Sequence, residues 1–349
     1  MKLIKYEDTL CLQAADGLAV RTCENILIIK FIEPDEKEDC PLFHLFFVRE
    51  VCYSFLLEET MQTSIEKNGI RLTADTHGGE AVSLQKDGKE YLWNADPAFW
   101  GRHAPVLFPF VGSLRNQEYI LDGKKYPMGQ HGFARDMEFE LTEKNDSSIT
   151  YTLKSTQDTL EKYPFDFTLT ITYTLTDSGY ETRWTVTNDS DRYMPFSIGG
   201  HPAFMCPFDG SDDYRIFFEK MGFAPSHLTI HTIADGGLIN TETKDLKLDH
   251  GMITPTDELF AGDALIIEDR QADRVSLLHN GESYLTVKFN TPLFGVWSPA
   301  GKHAPFICIE PWYGRADGVD FEGELADRKY SQDLKPGETF TGGFEVILL

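Results

Sequence analysis

The chain has 349 residues, of which 41% are hydrophobic and 25% are charged. This composition is ordinary for a globular protein with a sizeable core, and it excludes disorder of the whole chain. Asp and Glu number 56 against 32 Lys and Arg, which gives a formal net charge of -24. Because such a field repels phosphate backbones and anionic lipid head groups, we expect neither nucleic acid nor membrane as a partner, and a neutral ligand fits more easily.

The first 60 residues match neither the helical nor the strand period, and we predict an N-terminal extension of uncertain structure there. Its most apolar stretch, residues 41–57, carries Arg49 and Glu50 at its centre, which argues against a membrane span. The pattern becomes regular after Met61, so we predict one folded domain over residues 61–349. The six cysteines show no C-x-x-C spacing and no leader opens the chain, so we expect a reducing, cytoplasmic location.

From Met137 onward, apolar and polar residues alternate with period two, as half-buried strands require. In "FTLTITYTLT", residues 167–176, five apolar side chains share one face, and "YETRWTV", residues 180–186, follows the turn signal "TDSG". Further segments of this kind are "MEFEL", "ITYTL", "YLTVKFN", "FGVWSP" and "GFEVILL". Because helical periodicity is scarce, we predict a mainly β protein, a large antiparallel β-sandwich with few short helices.

Four motifs place glycine or proline beside polar side chains in apolar surroundings. They are "APVLFPFVGSLRN" with Arg115, "PMGQHGFARD" with His131, "MPFSIGGHPAF" with His201, and "HAPFICIEPWYGRADG" with Glu310. An arginine fork commonly orients oxygen-rich ligands, although a surface ion pair explains Arg115 equally well. A single histidine such as His131 is more often structural, and the glycine beside it suits a positive φ or a close backbone approach. The glycines and proline around His201 suit a rigid loop or strand end.

Glu310 stands at the end of the apolar run "FICI", where a carboxylate requires an explanation. Strand alternation places Phe306, Cys308 and Glu310 on one face, and we expect Pro311 to end the strand there. The acid either reaches solvent at this end or serves as a base in a cleft. Two histidines, an arginine and a carboxylate can together supply acid, base and orientation for proton transfer.

Other chemistries lack their sequence signatures. The chain contains no G-x-G-x-x-G after a strand, no G-x-x-x-x-G-K-[ST] loop and no G-x-S-x-G elbow. A zinc site of two histidines and a glutamate has suitable ligand types, but neither H-E-x-x-H nor a close-set pair is present. These absences argue against dinucleotide, P-loop and hydrolase functions, and they disfavour the zinc site.

Together and in this order, the four motifs resemble the aldose 1-epimerase (galactose mutarotase-like) family, with the LacX-type branch as the nearest match, over roughly residues 62–349. The resemblance implies a β-sandwich with a sugar cleft on a concave sheet face. It also implies that Glu310 is the general base and His201 the general acid, and that His131 and Arg115 bind sugar hydroxyls. The first 60 residues have no counterpart in it.

The implied reaction interconverts the α and β anomers of a hexose without metal, nucleotide or redox cofactor. Glu310 would take the proton of the anomeric hydroxyl while His201 protonates the ring oxygen, and the opened sugar would reclose as the other anomer. Trp312 and Trp297, with Tyr313 and Phe204, are candidates to stack on the sugar, but each also suits a core position. Asp263 is a candidate hydroxyl ligand, although a turn aspartate before a strand explains it as well.

Three functions remain open at this point. The first is a mutarotase acting on a free hexose. The second is a hexose-6-phosphate 1-epimerase, which would use cations near the motifs, namely Arg102, Arg115, Arg135, Lys302 and Arg315. The third is a non-catalytic sugar-binding or regulatory protein, which the presence of both His201 and Glu310 argues against. The physiological sugar and the oligomeric state do not follow from the sequence.

Overall fold

The computed structural model describes residues 61–211 and 213–349, and within the first 60 residues only the course of five strands. The chain divides into two compact units, Met1–Glu59 and Thr60–Leu349. The strands of the first unit form one antiparallel sheet in chain order, β1 (Lys2–Tyr6), β2 (Thr9–Gln13), β3 (Leu18–Cys23), β4 (Ile26–Ile32) and β5 (Val48–Tyr53). The predicted N-terminal extension otherwise lies outside the described residues.

The second unit consists of strands and a few short helices. Its strands are β6 (Thr63–Lys67), β7 (Ile70–Ala74), β8 (Ala81–Lys86), β9 (Lys89–Glu90), β10 (Val106–Leu107), β11 (Glu118–Leu121), β12 (Lys124–Pro127), β13 (Glu140–Lys144), β14 (Ser148–Lys154), β15 (Phe167–Leu175), β16 (Gly179–Asn188), β17 (Met194–Phe196), β18 (Ile198–Gly200), β19 (Ala203–Met205), β20 (Tyr214–Glu219), β21 (His227–Ala234), β22 (Leu238–Lys247), β23 (Met252–Ile253), β24 (Leu265–Ile267), β25 (Arg274–His279), β26 (Glu282–Phe289), β27 (Leu293–Trp297), β28 (Phe306–Tyr313), β29 (Gln332–Leu334) and β30 (Thr339–Leu348). Helix α1 spans Gln157–Lys162, and 3₁₀ turns lie at Arg115–Gln117, Ala134–Asp136, Asp235–Gly237 and Leu325–Asp327.

Two large antiparallel sheets dominate this unit. One has the order β13-β14-β15-β16-β30-β26-β25-β20-β23, and the other has the order β10-β18-β28-β27-β24-β21-β22 with β19 also paired to β28. The main core contains buried side chains of both sheets, such as Ile171 and Trp184 from the first and Phe294 and Ile309 from the second. The predicted antiparallel β-sandwich is therefore confirmed.

The clearest predicted hairpin forms as its sequence indicates. Along β15 the side chains from Phe167 to Leu175 alternate between buried and half-buried positions, and Leu175 lies opposite Tyr180 of β16. The threonines between the apolar residues face the other side of the sheet. The period of two thus decided which face of this sheet covers the core.

Strand β28 lies inside the second sheet, and the prediction that Pro311 ends it is wrong. The strand runs from Phe306 to Tyr313, through Pro311. On one side it pairs with β27, and on the other with β19 and then β18. The N–H of Ile309 donates to the Pro202 carbonyl at 3.3 Å. Pro311, two residues later, turns its missing N–H toward the same side. The pairing of β18 with β28 ends at Gly199 opposite Trp312, so no ladder bond is lost at Pro311 and a proline is tolerated.

Candidate active site

A cleft of about 290 Å³ lies on the face of the β28 sheet that turns away from the main core. Its volume is at the small end for a ligand site, as suits a compact molecule. It is lined by Trp100, Gly112, Gln130, His131, Arg135, His201, Ile233, Gly237, Ile239, Asp263, Ala264, Ile266, Trp297, Glu310, Trp312 and Ala316. Of the nine residues that the sequence analysis proposes for catalysis or sugar binding, six are in this set, and Arg115, Phe204 and Tyr313 are not.

Glu310 reaches this cleft from the middle of β28. Alternation along the strand turns Ile307 and Ile309 into the main core and leaves Phe306, Cys308 and Glu310 on the cleft face. The side chain is buried, with 1% of the residue exposed, and its Oε2 lies 3.1 Å from Nε2 of His201. The two groups touch without the angle of a hydrogen bond, so neither oxygen of Glu310 has a hydrogen-bond partner within the described residues.

His201 occupies the two-residue break between β18 and β19, at the strand end that its sequence predicts. Its backbone N–H donates to the carbonyl of Pro105 at 3.0 Å, which anchors the break. The imidazole stacks on Trp100 with 4.7 Å between ring centroids and meets Trp297 edge-on at 5.4 Å. Two aromatic rings therefore hold His201 in place against Glu310.

Burial shifts the pKa values of this pair in opposite directions. Desolvation raises the pKa of Glu310 well above its ordinary 4.5, and the negative charge of Asp263 adds to this rise. Desolvation, together with the positive charges of Arg135 and Arg102, lowers the pKa of His201 to about 3. Between these two values the pair holds one proton, and burial favours keeping it on the carboxyl group with a neutral imidazole.

His131 is a second cleft imidazole, held by a reciprocal pair of bonds to Gly112. The backbone N–H of Gly112 donates to Nδ1 of His131 at 3.0 Å, and the N–H of His131 donates to the carbonyl of Gly112 at 3.0 Å. Burial and the nearby charges of His201, Arg135 and Arg102 lower the pKa of His131 well below 6.5. Because Nδ1 of the neutral ring accepts this hydrogen bond, Nε2 carries the ring proton and is a donor.

The glycine after His131 has the conformation that its sequence predicts. Gly132 has a φ of +71°, and a Cβ there would lie 2.6 Å from the carbonyl carbon of Phe108. Only glycine allows the chain this close to the "FPF" segment without strain.

Arg115 lies outside the cleft, contrary to the expectation that it binds sugar. Its Nη1 donates to the carbonyl of Phe321 at 2.9 Å and lies 3.1 Å from a carboxylate oxygen of Glu322. This is the ion pair that the sequence left open as the alternative. Arg115 begins the 3₁₀ turn Arg115–Gln117, and from this turn its side chain extends to Phe321 and Glu322 instead of the cleft.

Arg135 lines the cleft instead, although the sequence analysis assigns it only to the phosphate alternative. Its Nη2 donates to the carbonyl of Gln130 at 2.9 Å, while its buried Nε has no hydrogen-bond partner within the described residues. The spacing in "QHGFAR" was the available signal, since a 3₁₀ turn from Ala134 brings Arg135 back beside His131.

The aromatic and acidic candidates divide between cleft and core. Trp297 and Trp312 line the cleft, whereas Phe204 is buried in the main core and Tyr313 packs on Phe340. Asp263 is a turn residue before β24, with its Oδ1 accepting from the N–H of Ala264 at 2.8 Å, and it also lines the cleft. Asp263 is therefore a turn aspartate before a strand, and its place in the cleft wall also keeps it a candidate ligand for a sugar hydroxyl.

Trp100 is the aromatic cleft residue that sequence reasoning missed. It comes from the loop after β9 and has no strand pattern around it, so only its contact with His201 assigns it to the cleft.

Several cleft residues carry buried polar atoms that lack a hydrogen-bond partner in the described part of the chain. Within the described residues, Nε of Arg135, Nδ1 of His201, both carboxylate oxygens of Glu310 and Nε1 of Trp312 are buried and lack a hydrogen-bond partner. Such atoms cost free energy unless a ligand or water satisfies them. A small molecule rich in hydroxyl groups, which donate and accept, matches this set of donors and acceptors.

Within the described part of the chain, one group of three side chains lies close enough together to hold a metal ion. His201, Cys308 and Glu310 each offer a ligand atom, and these atoms lie within 4.8 Å of one another. His131 is not part of the group, so it differs from the two-histidine zinc site considered from the sequence.

A larger depression of about 520 Å³ lies beside Met128, Gly132 and Lys162. Its lining includes none of the buried, unpartnered polar atoms. The smaller cleft is therefore the better candidate for chemistry, because it combines aromatic walls with convergent titratable groups.

The sequence profile of the aldose 1-epimerase family matches residues 61–345 of this chain. Two LacX proteins of Lactococcus lactis subsp. lactis, one plasmid-borne and one chromosomal, are each 32% identical to it over an alignment of 300 residues. The alignment covers 83% of this chain and 100% of each LacX chain. The chain belongs to the aldose 1-epimerase family. The resemblance seen in the four motifs is thereby confirmed, and with it an isomerase of the mutarotase type.

Solved structures place the fold in the same aldose 1-epimerase group. A galactose mutarotase related enzyme from Lactobacillus acidophilus is 36% identical with a TM-score of 0.76, covering 83% of this chain and 97% of its own. A galactose mutarotase-like protein from Lactobacillus casei is 33% identical with a TM-score of 0.77, covering 83% and 100%. Among the described residues, no helix is long and apolar enough to span a membrane.

Proposed function

We propose that this aldose 1-epimerase family member interconverts the α and β anomers of a free, neutral hexose, with Glu310 as general base and His201 as general acid. The contact between these two buried groups, 3.1 Å apart at the floor of the cleft, carries the proposal. Between the shifted pKa values of the two groups the pair holds one proton, and ring opening of a hemiacetal requires one group to take a proton and another to give one.

The reaction begins with the proton of the resting pair on Glu310. Moving it to His201 breaks an O–H bond, forms an N–H bond and leaves the charge of the cleft unchanged. A bound sugar whose hydroxyls donate to the carboxylate favours this charged form, since hydrogen bonding to a charged group stabilises it.

Ring opening then uses both groups at once. Glu310 takes the proton of the anomeric hydroxyl, and His201 gives its proton to the ring oxygen as the bond from C1 to that oxygen breaks. After rotation about the bond between C1 and C2, the reverse transfers close the ring as the other anomer. Ring closure leaves Glu310 as a carboxylate and His201 protonated, and return of the proton from His201 to Glu310 restores the resting pair.

The remaining cleft residues bind and orient the sugar. His131 donates through Nε2, because its Nδ1 is occupied by Gly112. Asp263 accepts from a hydroxyl through its free oxygen, while Trp297 and Trp312 offer ring faces to the apolar side of the pyranose. We add Arg135 and Trp100 to this set and withdraw Arg115.

A neutral sugar fits better than a hexose 6-phosphate. Of the five cations that motivated the phosphate alternative, Arg135 is the one Lys or Arg among the described residues lining the cleft. Arg102 pairs with Asp136 and Arg315 with Glu268, and Lys302 donates to the carbonyl of Phe99. A phosphate would therefore meet one cation, in a chain of net charge -24.

We also propose that the catalytic domain comprises residues 61–349 and that the protein works in the cytoplasm. The first proposal is supported by the family match, which starts at residue 61, and by the division of the chain at Thr60. The second is supported by two buried free thiols, Cys206 and Cys308, which suit a reducing compartment.

Polarimetry of wild type, Glu310→Gln and His201→Asn on freshly dissolved glucose and galactose tests the assignment. We expect each variant to lose at least about a hundredfold in catalysed mutarotation, the usual worth of a general acid or base. His279→Asn is the matched control, because His279 stacks on Tyr214 in the other sheet.

A wild-type rate in either cleft variant, with the fold retained by circular dichroism, would remove that residue from its role. Sugar binding by the wild type without faster mutarotation would instead favour the non-catalytic alternative.

A further inference from the structure

Cys308 is a buried thiol beside the catalytic pair that the proposed mechanism does not use. It lies two residues before Glu310 on the cleft face of β28, and the Cα register places it opposite Ala203 of β19 and Trp297 of β27. His201 precedes β19 by two residues. The fold therefore brings a sulfur, a nitrogen and an oxygen ligand atom within 4.8 Å of one another, all of them buried.

We propose that His201, Cys308 and Glu310 form an inhibitory site for Zn²⁺. A thiolate, an imidazole and a carboxylate are the ligand types that zinc takes in proteins, and three of them with one open position make a tetrahedral site. Bonds of about 2.0–2.3 Å separate tetrahedral ligand atoms by roughly 3.3–3.8 Å, so closing the site requires shifts of about 1 Å. His201 and Glu310 line the cleft, through which the ion would enter.

The charge of the complex and the residues around it favour Zn²⁺ binding at this site. Binding releases the thiol proton of Cys308 and the carboxyl proton of Glu310 to solvent. The resulting complex of one Zn²⁺, one thiolate and one carboxylate is electrically neutral, so it escapes most of the cost of burying charge. The walls are apolar, since Cys308 packs in a cluster with Trp93, Ala203 and Phe306. Trp100 stacks on His201 and orients the ring, as groups around a metal ligand commonly do.

Inhibition rests on the proposed function, because the ion would occupy the two groups assigned to proton transfer. Glu310 bound to zinc cannot take the anomeric proton, and His201 bound through a ring nitrogen cannot donate from it. Binding of the ion itself does not depend on that function, and it is measured separately.

The test uses the full-length protein with Co²⁺ as a spectroscopic probe and Zn²⁺ as the inhibitor. We expect the wild type with Co²⁺ to show a thiolate-to-cobalt charge-transfer band that Zn²⁺ displaces, and to lose mutarotation in the same Zn²⁺ range. Cys308→Ser should keep the mutarotation rate measured without metal and should lack the charge-transfer band. It should also need at least about tenfold more Zn²⁺ for inhibition, because mutating even a residue that only supports a metal ligand lowers metal affinity about 10–100-fold. Cys206→Ser, at the other buried free thiol, should behave as the wild type.

The outcomes separate the two proposals. No charge-transfer band in the wild type, or an unchanged Zn²⁺ response in Cys308→Ser, overturns the metal site. A band that depends on Cys308 in a protein without mutarotase activity leaves the site standing and overturns the proposed function. If the serine variant folds poorly, Cys308→Ala is used for the same comparison. The test for a charge-transfer band in the wild type does not depend on any variant.

Discussion

Glu310 and His201 share one titratable proton, and their shifted pKa values decide where on the pH scale the pair is active. The reactive protonation state has one proton on the pair. It is lost at low pH when His201, with its pKa lowered to about 3, is protonated as well. It is lost at high pH when Glu310, with its pKa raised well above 4.5, gives up its proton.

The pH profile of kcat/KM should therefore stay high well below pH 6.5, the ordinary pKa of an imidazole, and should fall on the alkaline side with Glu310. Because the charge of Asp263 helps to raise the pKa of Glu310, Asp263→Asn should lower that pKa and move the alkaline limb to lower pH. Polarimetry across pH measures the shift. An alkaline limb that moves upward or stays in place would contradict the assignment.

At the scale of elements, the strands beside β28 make room for Trp312 on the cleft floor. Gly199 of β18 and Gly295 of β27 flank this residue, and a Cβ on them would lie 2.5 Å and 2.7 Å from atoms of its indole ring. Neither glycine has a positive φ. Space for the tryptophan, and not backbone conformation, therefore requires glycine at both positions.

Gly295→Ala should displace Trp312, because the ring and the new methyl group would overlap. We expect a loss of about 1–3 kcal/mol in the free energy of unfolding, as for other overpacked sites, together with a higher KM for the sugar. Denaturant unfolding and initial rates measure the two effects. The control is Gly129→Ala, where a Cβ meets nothing within 4 Å and φ is not positive. Equal stability of the two variants would show that Trp312 moves freely.

At the scale of the whole molecule, the net charge of -24 favours neutral substrates over anionic ones. At low ionic strength, kcat/KM for glucose 6-phosphate should be lower than for glucose, and added salt should raise the first while leaving the second unchanged. Salt has this effect because the Debye length shortens to about 10 Å at 0.1 M. Polarimetry of both sugars over a salt series checks it, and faster turnover of the phosphate at low salt would favour the phosphate alternative.

The division of the chain at Thr60 gives a second prediction at this scale. Residues 61–349, produced alone, should keep the mutarotase rate of the full chain, since the family match and all cleft residues lie within them. Circular dichroism and polarimetry of the shortened chain provide the measurement. Loss of activity in a folded shortened chain would give the first 60 residues a part in catalysis.

The sequence by itself determined the fold class and the family to which the chain belongs. Alternation along β15 and β28 decides which side chains face the core, because burying one face of a strand specifies its register. This is why Phe306, Cys308 and Glu310 were correctly placed on one face. Four motifs in a fixed order are far more specific than any one of them, so together they were sufficient to identify the family.

Only the tertiary structure decided which charged and aromatic side chains reach the cleft. Arg115 and Arg135 both adjoin motifs, yet one pairs with Glu322 and the other lines the cleft. The path of β28 through Pro311 likewise depends on the break between β18 and β19, which comes from elsewhere in the chain. Distances such as the 3.1 Å between His201 and Glu310 join residues about a hundred positions apart, and local patterns carry no information on them.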